Sequence, residues 1–147
     1  MRKTKHNANR HEAVVGGQRC KFDSMAEHRY AEWLERERRA KRIKSWEHHP
    51  RGLVMGDVLT DVRLFTMNVD FMVKLVGGGV EWHEVKGMAT AVWRLKRRIV
   101  EAMTLHDYRV IDAGRGVCAT GTGEPALFDD RPRKSRRKSP RKSAPKC

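Results

Sequence analysis

Asp70 and the triplet Glu84-Val85-Lys86 are the residues whose types and spacing suggest chemistry. Between them lies Gly77-Gly78-Gly79, a run that favours a tight turn, so the flanking segments read as the arms of a β-hairpin. Side chains alternate along a strand, which puts Glu84 and Lys86 on one face. On the first arm Asn68, Asp70 and Met72 share a face, and hairpin pairing in the right register sets Asp70 beside Glu84. Two carboxylates that close repel each other, and a divalent cation removes the conflict. Oxygen ligands suit Mg²⁺, which keeps several waters and also takes phosphate oxygens. A cation so placed polarises a phosphodiester and lowers the pKa of a bound water; Lys86 is placed to orient that water or to offset charge in the transition state. The competing reading is plain: Glu-x-Lys occurs everywhere, and both residues also suit the solvent face of a half-exposed strand. The glycines are a turn rather than a phosphate loop, since no Gly-Lys-Ser/Thr follows them.

These residues need elements to position them. Ser24-Met25-Ala26-Glu27 has the capping-box pattern of a helix start, and Ala26, Tyr30, Trp33 and Leu34 fall on one face at the helical period. This helix is expected to fade over residues 40–42. Ile43 and Trp46 anchor the exit segment, and His48-His49-Pro50 breaks regular structure. Residues 51–59, 62–74 and 80–86 read as strands. A second helix is expected over 90–106, with Val92, Leu95, Ile99, Ala102 and Met103 on its apolar face and Arg94, Arg97, Arg98 and Glu101 turned away. Lys96 lies at the edge of that stripe. A last strand covers 108–111, with a short strand at Val117-Cys118-Ala119. The order helix, strand, strand, strand, helix, strand predicts a mixed sheet with flanking helices, an α/β layered domain. The expected divisions are a flexible basic N-terminus at 1–17, the domain at 18–128 and a disordered basic tail at 129–147, which lacks the large apolar residues needed for a core.

The net charge of +14 is unevenly spread. Residues 1–10 and 131–147 carry no acid and together hold +13, leaving the middle near neutral. Basic ends of this kind suit a polyanion, most commonly nucleic acid, and also suit plain solubilisation. Arg133, Lys134, Arg136, Arg137 and Lys138 are tail candidates for DNA backbone contact, with Arg94, Lys96, Arg97 and Arg98 on the second helix. A solvated helix face, and a lysine stem covering the core, account for the helix residues as well. The three cysteines are odd in number and far apart, with no CxxC, which argues against a zinc ribbon or disulfide framework and for reduced thiols in the cytoplasm. No run of 18 apolar residues is present, so no membrane helix is expected. His48, His49 and His83 have no ligand spacing and read as structural; the four tryptophans read as core or interface.

Asp70, the hairpin and Glu84-Val85-Lys86 within this order of elements resemble the PD-(D/E)XK nuclease superfamily. More narrowly, Phe22-Asp23-Ser24-Met25-Ala26-Glu27, Val69-Asp70-Phe71 and Glu84-Val85-Lys86-Gly87 through Trp93-Arg94-Leu95-Lys96 resemble a family of small phage and prophage proteins placed near phage Holliday-junction resolvases. The resemblance covers roughly residues 18–112. It implies a restriction-endonuclease-like core, Mg²⁺ or Mn²⁺ held by Asp70 and Glu84, and Lys86 assisting hydrolysis. It also implies that Glu27 joins the metal site, while the residue-level reading makes Glu27 a partner of Ser24 in the helix cap; the two roles stand side by side. Val69 replaces the name-giving proline, which is no ligand. The expected activity is that of a metal-dependent endodeoxyribonuclease selective for branched DNA, acting as a homodimer in the cytoplasm of a bacterial host. A non-catalytic nucleic-acid-binding protein using its basic tails is the alternative. A nuclease serving DNA packaging or transposition would keep the same site on another substrate.

Overall fold

The computed structural model describes residues 10–51, 53–57, 62–103 and 107–129. The chain opens with a hairpin of β1 (His11–Val15) and β2 (Gln18–Phe22), paired from His11↔Phe22 to Val15↔Gln18. Gly16 and Gly17 sit at φ +59° and +82°, the left-handed states that a two-residue hairpin loop requires. Among the described residues regular structure is present from His11, inside the segment expected to be flexible up to residue 17. Its physical basis is the glycine pair, which makes a turn here rather than a mere break.

Helix α1 (Met25–Arg39) follows, with Ser24 Oγ accepting from the Glu27 N–H at 3.2 Å. Its inner face carries Tyr30, Ala31 and Leu34, all essentially inaccessible. The exit segment is a strand, β3 (Ile43–His48), rather than an irregular connection. Ile43 and Trp46 are three residues apart, a spacing that a regular strand would put on opposite faces. A register shift between Ile43 and Ser45 lets both enter the core. Among the described residues β4 (Leu53–Asp57) and β5 (Val62–Met67) pair with each other in a separate two-stranded sheet. β6 (Phe71–Leu75) begins after Asn68-Val69-Asp70, so the strand expected over 62–74 is two strands meeting at the candidate site. β7 (Val80–Lys86) returns antiparallel to β6 through the glycine turn, where the Leu75 N–H donates to Gly79 O at 2.9 Å.

Helix α2 (Ala91–Met103) then crosses to β8 (Asp107–Gly116), which runs parallel to β7. Val117–Thr120 forms a short helix, α3, not the strand expected at 117–119. Gly116 at φ +56° redirects the chain there, and Arg29 of α1 donates to the carbonyls of Cys118 and Ala119. β9 (Pro125–Leu127) closes the sheet. The result is a mixed α/β fold with a five-stranded sheet ordered β3-β6-β7-β8-β9. Its two faces bury different clusters. Tyr30, Leu34, Trp46, Phe71, Val73 and Ile111 pack on the α1 side, whereas Val69, Trp93, Val100 and Val110 pack on the α2 side. Cys20 and Cys118 are buried free thiols.

The apolar face of α2 is not the one its longest stripe predicts. Trp93 and Val100 face inward, while Val92 and Leu95 are 65% and 61% exposed. Two apolar stripes compete on this helix, and the one bearing tryptophan prevails because the indole buries more area and its N–H finds a buried carboxylate partner. Arg97 therefore lies on the inner side, its guanidinium over the Trp93 ring and paired with Glu101 at 2.7 Å.

Candidate active site

The site lies at the end of β6 and β7, where the two cores meet. Val69 is rooted in the α2-side cluster and Phe71 in the α1-side cluster, so both neighbours of Asp70 are fixed. Asp70 is held between them at the mouth of the hairpin. The register Phe71↔His83 directs it toward Glu84, and its Oδ2 accepts the Val85 N–H at 2.7 Å. That amide lies between Glu84 and Lys86, so one hydrogen bond sets Asp70 against the whole triplet.

Glu84 and Lys86 share a face, as alternation requires, and Lys86 Nζ lies 3.1 Å from Glu84 Oε1. The same oxygen accepts from Trp93 Nε1 at 2.9 Å, and Glu84 Oε2 accepts from the Tyr108 hydroxyl. Lys86 also rests 5.0 Å over the Trp93 ring. Glu84 is 7% exposed, and donors from two other elements fix its plane. Burial, then the Glu84 charge, pushes the Tyr108 phenol far above its ordinary pKa, so it stays a donor. His83 points to the opposite face, where it bonds Tyr30 Oη at 2.8 Å and Glu81 Oε2 at 2.9 Å, as a structural histidine would.

Glu27 reaches the same corner from the first turn of α1 and is 7% exposed. Its carboxylate accepts from the Asp23 N–H at 3.1 Å and lies 3.4 Å from Ser24 Oγ. It also acts on Asp70. Burial first, then the Glu27 charge, with Glu84 adding and the Val85 N–H and Lys86 opposing, pushes the Asp70 carboxyl up to about 8. Cap and site are thus one arrangement: the bonds that start the helix aim its glutamate at the acidic corner. Oxygen donors of this kind suit a hard divalent cation, whose charge would oppose the burial and the Glu27 and Glu84 charges that raise the Asp70 pKa; the three ligand atoms that fall within 4.8 Å of one another are, however, those of Glu27, His48 and His49.

Asp70, Glu84 and Lys86 are therefore brought together by direct contacts through the triplet, whereas Glu27 reaches Asp70 through its charge and makes its own contacts with Asp23, Ser24, His48 and His49. Lys96 is partly buried, its ammonium 5.4 Å over the Phe65 ring, one turn beyond Trp93. Arg94 and Arg98 are exposed on the outer side of α2, and Arg97 is engaged with Trp93 and Glu101. Arg133, Lys134, Arg136, Arg137 and Lys138 lie outside the described residues. Four contributors escaped the sequence reading. Trp93 and Tyr108 orient Glu84, and His48 and His49 each place Nε2 3.8 Å from Glu27 Oε2. Tyr108 was signalled by parallel pairing: Val110 is the partner of Glu84, and Tyr108, two residues earlier, shares its face. The histidines carried no such signal, since they reach Glu27 only through the pairing of β3 with β6.

Fold and site together define a mixed α/β domain with a buried acidic corner and a lysine at a strand end. Residues 3–114 match the family described as a protein of unknown function, DUF1064, and the chain belongs to that family. No curated protein and no solved structure matches the chain.

Proposed function

We propose that this protein is a metal-dependent endodeoxyribonuclease with a restriction-endonuclease-like core, acting on branched DNA of the Holliday-junction kind. The observation that carries the reading is the anchoring of Asp70 on the amide between Glu84 and Lys86, with Glu27 turned to the same corner. Asp70 and Glu84 would hold Mg²⁺ or Mn²⁺, with Glu27 beside them. Such a cation, when bound, supplies charge to the scissile phosphate and acidifies a coordinated water. The protein's own part is positional. Trp93 and Tyr108 hold Glu84 in one plane, and the Val85 N–H fixes Asp70 Oδ2, so that Oδ1 is the oxygen it would offer a cation. Lys86 sits on Glu84, where its ammonium would offset charge developing at the phosphorus of a bound substrate. A cation bound there would favour the ionised form of Asp70.

A junction carries two equivalent strands to cut, which favours a two-fold dimer. The outward stripe of Met88, Val92 and Leu95 offers the apolar face such a pair needs. Purified protein incubated with labelled four-way junction, flap, duplex and single-stranded DNA, with Mg²⁺ or EDTA, tests the reading. Wild type should cut junctions only with metal, and Asp70→Ala and Glu84→Ala should abolish cutting while DNA binding persists. Undiminished cleavage by Asp70→Ala would remove this mechanism.

One observation favours a second reading. Most of the excess positive charge is carried by the terminal segments of the sequence, which contain none of the four candidate residues. A non-catalytic nucleic-acid-binding protein would bind through those segments and be indifferent to metal and to Asp70.

A further inference from the structure

Beside the acidic corner lies a group of different chemistry. Glu27, His48 and His49 each present one ligand atom, and these atoms all fall within 4.8 Å of one another. Both imidazole Nε2 atoms are 3.8 Å from the same carboxylate oxygen, Glu27 Oε2. Tetrahedral ligands around a zinc-sized ion, about 2.0–2.2 Å from it, stand about 3.4 Å apart. Side-chain shifts on the order of an ångström or less would therefore close the group on a cation.

Three features distinguish it from a chance contact. The His48 side chain is 6% exposed, and its Nε2 is buried with no hydrogen-bond partner. Leaving such a group unsatisfied is destabilising, a cost that survives where the atom has another use. The ring is also fixed in aim, packed 4.7 Å from Phe22 and 5.2 Å from Phe71, centroid to centroid. His49, finally, adopts φ +48°, an uncommon state for a residue with a Cβ, and its ring stacks on His48 at 3.8 Å so that both Nε2 atoms face Glu27. The His49 N–H bonds Asp70 O at 2.8 Å and holds this turn in place.

We propose that Glu27, His48 and His49 form a binding site for a divalent transition-metal cation, which shares Glu27 with the oxygen corner at Asp70 and Glu84 and differs from it in its two imidazole ligands. Two imidazoles and one carboxylate suit Zn²⁺ and its neighbours over Mg²⁺. His49, 44% exposed, leaves the fourth position open to water or to a substrate oxygen. The inference stands whether or not Asp70 and Glu84 serve hydrolysis.

The probe is Zn²⁺ added to the ¹⁵N-labelled full chain, followed by imidazole ¹⁵N spectra and by calorimetry. One equivalent should move the Nε2 resonances of both His48 and His49. His48→Gln and His49→Asn should each weaken binding about tenfold or more. Both shifts should persist in Asp70→Asn, which separates this site from the proposed hydrolytic one. Asparagine tolerates positive φ, so His49→Asn keeps the turn and remains decisive even if His48→Gln fails to fold. Unmoved Nε2 resonances, or Zn²⁺ affinity in His49→Asn within about twofold of wild type, would overturn the proposal.

Discussion

Asp70 shows what assembling such a site does to a single residue. An acid whose pKa is raised in the folded state retains a proton that the unfolded chain has already released. Stability is then fullest below the unfolded value near 4 and declines as pH rises toward the folded value of about 8. Asp70→Asn keeps the shape without the charge. It should match wild type near pH 4 and exceed it above pH 8 by on the order of 1–2 kcal/mol in metal-free denaturant melts. Mg²⁺ should narrow that gap by stabilising wild type alone. A gap that ignores pH would show that the corner carries no net repulsion. The pair Glu84 and Lys86 was legible in the sequence because alternation is a local rule. The partners of Glu84 were not, since Trp93 and Tyr108 meet it only once α2 has crossed to β8.

Elements were legible where one strong local signal sufficed. Helix α1 announced itself through Ser24, Glu27 and a clean stripe, and the glycine hairpin through its composition. Failures arose where two signals competed, as on α2, or where a bulge broke alternation, as in β3. The β1–β2 turn shows how one element supports another. Gly16 and Gly17 are both left-handed, so alanine at either strains the backbone by about 1 kcal/mol. Their surroundings differ. A Cβ on Gly17 meets nothing within 4 Å, whereas one on Gly16 would lie 2.7 Å from Glu35 Cδ. Glu35 is 6% exposed and tied to Arg38, Arg39 and the Trp46 indole. Those bonds, the Arg38 bond foremost, hold its carboxyl down at about 2. Gly17→Ala should cost about 1 kcal/mol and Gly16→Ala about 1–3 kcal/mol more by chemical denaturation. Because a depressed pKa stabilises above the unfolded value near 4 and is lost toward 2, that extra cost should vanish in acid. Equal effects at neutral pH would mean that Glu35 yields freely.

Along the sequence, the excess charge and the candidate chemistry fall in different segments. The α1 and α2 cores clamp the acidic corner from either side of the sheet, and the residues between the basic ends are nearly neutral. Affinity for a polyanion should then reside mainly in the ends, where residues 131–147 alone carry nine Lys/Arg and no acid. Each phosphate neutralised contributes about −0.9 to the slope of log K against log salt on duplex DNA. Deleting residues 131–147 should therefore weaken DNA binding and flatten that slope by several units, read by fluorescence anisotropy across salt concentrations. The two functional readings diverge at the next step. A hydrolytic corner that works by position should still cut in the truncated chain when protein is in excess and salt is low, because Asp70, Glu84 and Lys86 are untouched. A tail-driven binding protein would lose its function altogether. Retained tight binding with an unchanged salt slope would place the DNA contacts on the folded domain instead, where the exposed Arg94 and Arg98 of α2 become the residues to replace.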